Sequence, residues 1–318
     1  MEEISTSGGK SPRPVTRSTT ARLFSKEVIG LVLLIAAVIV WGDDRDPADA
    51  TKPLVVTGTP QYETLPQATL RVGTFNIHGG KGTDGVRDLD RTSRLLHGLD
   101  VVALQEVHAG ALGISPDQAT VIGQKLDLAA LFVPAERRWW QNSYGNGLLT
   151  RIAPTGLHRI PLVTTQNRKF RMALLFNVRH DGRIVHFLAV HLDTIRDREQ
   201  QLGAICDLFL SLSEPAVLMG DLNSNQETPQ LKRLLADESV TDFVTAVTDG
   251  TTNSSGIDWI ITRGLRCVDS GSVPNDASDH PLVWAELQPI APLRTAGDDN
   301  SAPRAKQAGL QPFTPGKR

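Results

Sequence analysis

Cysteine is nearly missing from this chain: Cys206 and Cys267 are the only two among 318 residues. Two cannot make a disulfide framework or a metal-binding cluster. They read as free thiols, with one disulfide allowed if the domain is exported. No set of Cys and His at zinc-ligand spacing occurs, which excludes a structural zinc site. Gly-x-Ser-x-Gly and the other serine-nucleophile signatures are missing. So is a P-loop, because Gly79-Gly80-Lys81-Gly82 lacks the required spacing and reads as a flexible loop. There is no basic excess either. The formal net charge is -2, so no global field gathers a polyanion.

What is present is 40% hydrophobic and 21% charged, an ordinary balance for a soluble globular protein. Residues 1–27 are rich in Ser, Thr, Arg and Pro and have no apolar period. The uncharged run at 28–41 follows Lys10, Arg13, Arg17, Arg22 and Lys26 and precedes Asp43, Asp44 and Asp46. That asymmetry places the N-terminus in the cytoplasm and the rest of the chain outside. Three readings stay open. The segment is a single anchor in the cytoplasmic membrane, a cleaved signal that leaves the domain secreted, or a plain buried helix. Residues 42–69 hold four prolines and read as a linker with one short edge strand. Residues 289–318 read as a disordered tail. One folded domain over 70–288 remains.

Within it, short apolar runs alternate with amphipathic stretches. Strands are expected over 70–76, 101–105, 147–151, 172–178, 185–191, 216–219, 257–262 and 281–287. Helices are expected over 88–99, 116–126, 196–212 and 230–236. Several strands follow one another without a helix, so a mixed-sheet α/β sandwich fits better than strict βαβ winding.

Buried strands are apolar, so a polar residue at a strand end needs a reason. Asn76, Glu106 and His191 each close a strand. Asp221 and Asn223 follow another, Asp258 opens one, and Asp279 and His280 precede the last. One such residue is usually a turn former. A set of this size, all able to ligate a metal or move a proton, points to one active site held by the sheets. Carboxylates and amide oxygens suit a hard cation, Mg2+ or Mn2+.

The segments TFNIHGG, VVALQEV, GNGLLTR, FLAVHLDT, VLMGDLNS, GIDWIIT and ASDHPLV resemble, in that order, the endonuclease/exonuclease/phosphatase (DNase I-like) superfamily. The resemblance covers about residues 70–288. It implies a four-layered α/β sandwich of two mixed β-sheets and phosphoester hydrolysis. It also implies roles. Glu106 would be the principal magnesium ligand, with Asn76 nearby. Asp221 and Asn223 would orient and activate water. His280, held by Asp258, would contact the phosphoryl oxygen. Asp279 would lie at the metal or the leaving group, and His191 would bind phosphate or act as general acid. The Asp258–His280 pairing would raise the imidazole pKa.

Other readings are less fixed. Asn146 is a substrate-side residue or a turn Asn. Arg198 is a substrate contact or part of a solvated helix face. His78 and His108 flank the site. Residues 70–288 carry 21 Lys and Arg against 25 Asp and Glu, so only local clusters could meet a phosphate chain. These are Arg137-Arg138-Trp139-Trp140 and Arg168-Lys169-Phe170-Arg171. A nuclease-type phosphodiesterase is the leading expectation, its substrate a nucleic acid or a phospholipid headgroup. A phosphoinositide or sugar phosphatase is the alternative enzyme, and a catalytically silent binding module the non-enzyme reading. No protein partner can be inferred.

Overall fold

The computed structural model describes residues 26–42, 45–65, 67–110, 114–138, 141–165, 170–247 and 255–290. The tail beyond 290, the N-terminal residues before 26, and Trp139, Trp140, Arg168 and Lys169 lie outside the described residues. Two compact units divide the chain, one ending at Asp43 and one starting at Asp44.

The first unit contains α1 (Lys26–Gly42), a helix of 17 residues. At about 1.5 Å per residue it falls short of a hydrocarbon core of about 30 Å. Among the described residues no helix is long and apolar enough to cross a membrane, so the expected membrane-spanning helix is not supported.

The second unit begins with three short strands, β1 (Arg45–Pro47), β2 (Val56–Thr57) and β3 (Thr64–Leu65). Then come β4 (Leu70–Asn76), α2 (Leu89–Leu95), β5 (Val101–His108), α3 (Gln118–Leu126), β6 (Ala129–Arg138), β7 (Gln141–Thr150) and β8 (Thr155–Pro161). The second half holds β9 (Met172–His180), β10 (Arg183–His191), α4 (Arg198–Ser211), β11 (Ala216–Asp221), α5 (Pro229–Leu235), β12 (Val240–Val247), β13 (Ser255–Arg263), β14 (Leu265–Val273) and β15 (Leu282–Pro289).

Two sheets result. One runs β1-β6-β7-β5-β4-β15-β14, with β2 also on β6. The other runs β12-β13-β11-β10-β9-β3, with β8 also on β9. Both are mixed, since β4–β5 and β10–β11 are parallel among antiparallel neighbours. Strand alternation explains the layers. Val72, Val101, Leu131 and Leu148 of the first sheet meet Leu174, Phe176, Phe187 and Met219 of the second in one buried core. Phe75, Val102 and Leu104 point the other way, onto Leu96, Ala119 and Ile122 at α2 and α3. Leu188, Leu218 and Ile261 do the same onto Leu202, Ile205, Phe209 and Leu231 at α4 and α5. The architecture is therefore helices, sheet, sheet, helices.

α2 and α3 start where side chains satisfy their first amides. Asp88 accepts from the amides of Asp90 and Arg91 at α2, and Asp117 from that of Thr120 at α3. Each carboxylate occupies donors that would otherwise be unpaired.

The stretch read as a linker is not one. β1 and β2 pair with β6, β3 pairs with β9, and Leu65 is buried in the inter-sheet core. Its strands are too short to show a period. β6 was also not anticipated, because Pro134 interrupts its pattern. The strand accommodates that proline with register shifts against β7 at Pro134/Glu136 and Glu136/Arg137, as bulged strands do. Both cysteines are free thiols. Cys206 is buried, and burial pushes its thiol up to about 12.

Candidate active site

The site forms where neighbouring strands of both sheets end. β11 and β13 put Asp221 directly opposite Asp258, and β10 puts His191 beside Asp221. Gly220 makes this approach possible. Its φ is 146°, and a Cβ there would lie 2.0 Å from the Val190 carbonyl oxygen. No other residue fits. From the other sheet, β4 delivers Asn76. Its Nδ2 donates to Asp221 Oδ2 at 3.1 Å, and its Oδ1 accepts the His78 amide at 3.1 Å.

Glu106 sits at a β-bulge, where the β5–β7 register shifts between Leu104 and Val107. Its φ is 58°, a left-handed backbone that costs a non-glycine residue about 1–3 kcal/mol. His78 and Asn223, with φ of 49° and 47°, share that strain. Asp127 and Asp181 also take left-handed backbone at turns, so the strain at Glu106, within a strand, is the one that turn chemistry does not explain.

His280 lies in the loop before β15. Its Nδ1 is 2.8 Å from Asp258 Oδ2, and its Nε2 is 3.9 Å from Asp221 Oδ2. Burial works to lower the His280 pKa. The Asp258 hydrogen bond and the charges of Asp258, Asp221 and Asp279 outweigh it and raise the pKa to about 9. Burial also raises both carboxyls. Asp221 reaches about 7, with the Asp258 charge adding to burial, while the hydrogen bond from His280 partly offsets the rise at Asp258. At neutral pH the arrangement holds an imidazolium beside a carboxylate poised to take a proton.

The loop itself is fixed from within. Asn275 Oδ1 accepts the amides of Ala277 and Ser278, Ser278 Oγ donates to the Asn76 carbonyl at 2.6 Å, and the His280 amide donates to Ser278 Oγ at 3.2 Å. Trp259 Nε1 donates to the Ser224 carbonyl and steadies the loop after Asp221.

Not every expected residue joins the centre in the same way. Asn223 donates from its side chain to the Leu192 carbonyl, and its backbone amide donates to Asp221 Oδ1. Arg198 Nη1 donates to the carbonyls of Thr194 and Asn223, so it braces the Asn223 loop. Asn146 is buried, and its Nδ2 contacts the carbonyl and the sulfur of Met172, which ties β7 to β9. Asp279 is open to solvent, and its Oδ1 is 3.5 Å from His78 Nδ1. His108 packs edge-on against Tyr144 with ring centroids 5.5 Å apart.

The sequence marks Arg171 only as part of a local basic cluster and does not single out Tyr144. Arg171 turns inward, with Nη1 3.0 Å from the Tyr144 hydroxyl and 3.1 Å from His191 Nδ1. Tyr144 lies two residues before Asn146 on β7, and that alternation is the only signal for it in the sequence.

The residues present fit a hard divalent cation. Carboxylates and an amide oxygen supply the donors. Asp258 Oδ1 is buried without a hydrogen-bond partner. Ligand atoms of Asp221, Asp258 and His280 lie within 4.8 Å of one another. That group includes His280, whose ring binds no cation while it is protonated.

Two mixed sheets, back to back, with an Asp–His pair at their shared rim define a phosphoesterase-type α/β sandwich of the DNase I-like class. The chain belongs to the Endonuclease/Exonuclease/phosphatase family, whose profile matches residues 73–280. Members are generally hydrolases that use a divalent metal. It is similar to an endonuclease/exonuclease/phosphatase from Beutenbergia cavernae, with a TM-score of 0.57 and 24% identity over 70% of this chain and 72% of that one. A Bacteroides vulgatus structure of the same description gives 0.56 and 17% over 70% and 100%. At such identities the likeness concerns the fold. A UPF0294 protein of Yersinia pseudotuberculosis is 30% identical over 118 residues, which is 35% of this chain and 45% of that protein. The chain thus spans about half the length of the curated relatives it matches.

Proposed function

We propose that this protein is a divalent-cation-dependent phosphodiesterase, with nucleic acid the first substrate to test. The observation that carries the reading is the buried His280–Asp258 pair at 2.8 Å, facing Asp221. A phosphodiester repels an incoming hydroxide, so a site must offset negative charge and place water in line. In this reading Asp221 takes the water proton, with Asn223 fixing the Asp221 carboxylate through its backbone amide. His280, charged and held by Asp258, donates to the phosphoryl oxygen as negative charge builds there. Glu106, Asn76 and Asp279 would hold Mg2+ or Mn2+, which when bound would supply further neutralisation of the phosphoryl oxygens.

The test is plasmid nicking by the full chain in magnesium, in EDTA and as His280→Ala. Nicking that needs both the metal and His280 upholds a nuclease. A folded protein that nicks nothing but cleaves sphingomyelin would move the substrate to a lipid diester. Hydrolysis of neither diester would overturn the proposal.

A further inference from the structure

Arg171 belongs to a local basic cluster that reads as able to meet a phosphate chain, yet it is 8% exposed. Its guanidinium carries donors and no acceptor. Both of its contacts therefore dictate where a proton sits. His191 Nδ1, 3.1 Å from Arg171 Nη1, must accept, so that nitrogen is bare. A proton there would face the guanidinium donor to donor. A neutral imidazole keeps one proton, which is then on Nε2. Nε2 faces Asp221 Oδ2 at 3.5 Å. The Tyr144 oxygen also accepts from Arg171, which leaves its own O–H to donate elsewhere.

We propose that Arg171 is a positioning residue that fixes His191 as the Nε2–H tautomer, so that His191 presents a hydrogen-bond donor to Asp221. Asp221 Oδ2 then sits between two donors, Asn76 Nδ2 and His191 Nε2, while Oδ1 accepts the Asn223 amide. Three donors from three strand ends hold one carboxylate in a single orientation. His191 in this state is neither the general acid nor a bare base. It orders the group that acts. The catalytic consequence rests on the phosphodiesterase reading, but the tautomer does not.

The test uses long-range 1H–15N spectra of the full chain labelled in its histidine rings, with the His191 signals assigned by their loss in His191→Phe. Wild type is expected to show the proton on Nε2 at neutral pH. Arg171→Lys, still donor-only, keeps that pattern, and Arg171→Met releases it to a mixture. In Arg171→Met, kcat is expected to fall about 10–100-fold, with KM within about threefold. Arg171→Lys should recover most of the loss. A wild-type proton on Nδ1 overturns the proposal, as does an Arg171→Met variant that keeps the wild-type pattern. So does a rise in KM at constant kcat, which would make Arg171 a substrate contact. The wild-type spectrum needs no variant to fold. It also stands if the protein cleaves no substrate offered, so failure of the activity and failure of the tautomer are separate results.

Discussion

Asp279 and His280 are neighbours in sequence, and each forms an imidazole–carboxylate pair, yet the two pairs could hardly differ more. His280 meets Asp258 at 2.8 Å, with the carboxylate side chain 2% exposed. Asp279 meets His78 at 3.5 Å, with side chains 57% and 40% exposed. Asp258 lies within β13 opposite Asp221, where the dielectric is low and a lost partner leaves a stranded charge. Asp279 lies in water, where such a pair contributes little. The same two residue types thus give one strong pair and one weak one, and burial makes the difference.

Removing the buried carboxylate should break the comparison most severely. Asp258→Asn should lower kcat by about 10²–10⁴-fold and drop the His280 pKa from about 9, since burial is then opposed only by the charges of Asp221 and Asp279. In the wild type, kcat/KM should climb as Asp221 loses its proton near pH 7 and fall as His280 loses its proton near pH 9. In Asp258→Asn the alkaline limb should move to lower pH. An unmoved limb in a pH–rate profile would assign it to another group.

Ser278→Ala tests the loop that separates the two pairs. It strands the amide of His280 and the Asn76 contact, and should cost about 1–3 kcal/mol in urea unfolding. A third histidine sharpens the contrast. His180 is fully buried, and burial lowers its pKa with Asp181 offsetting only part. It stays neutral in the fold, so below about pH 6.5 the unfolded chain binds the extra proton. Stability should therefore fall as pH drops through that value, and His180→Leu should flatten the slope in melts across pH. The smallest effect belongs to the exposed pair. His78→Ala should change stability by less than about 1 kcal/mol, and a larger loss would show that the pair is not the solvated contact described above.

Much of the centre was legible because sheets impose apolar sequence, so that Asn76, Glu106, His191, Asp221 and Asp258 stood out at strand ends. Arg171 stood out only as part of a basic cluster, because nothing local marks a charged residue that will be buried. Its partners come from β7 and β10, which are distant in sequence. Arg198 was legible as a helix-start arginine but not as a clasp on backbone carbonyls. The strands between 45 and 65 stayed hidden because two or three residues cannot display alternation.

The family profile closes at His280, while β15 follows at Leu282–Pro289 and fills the place between β4 and β14. The strands the sheet needs thus run past the last of the site's side chains. A gene fragment shuffled at those borders would carry every reactive side chain and arrive with a missing stave. β4 would become an open edge and β14, already the outer strand, would lose its pairing partner, and such unpaired strands invite a strand from another molecule. Recombination that preserves this protein has to respect the sheet, whose borders lie outside the chemistry it supports.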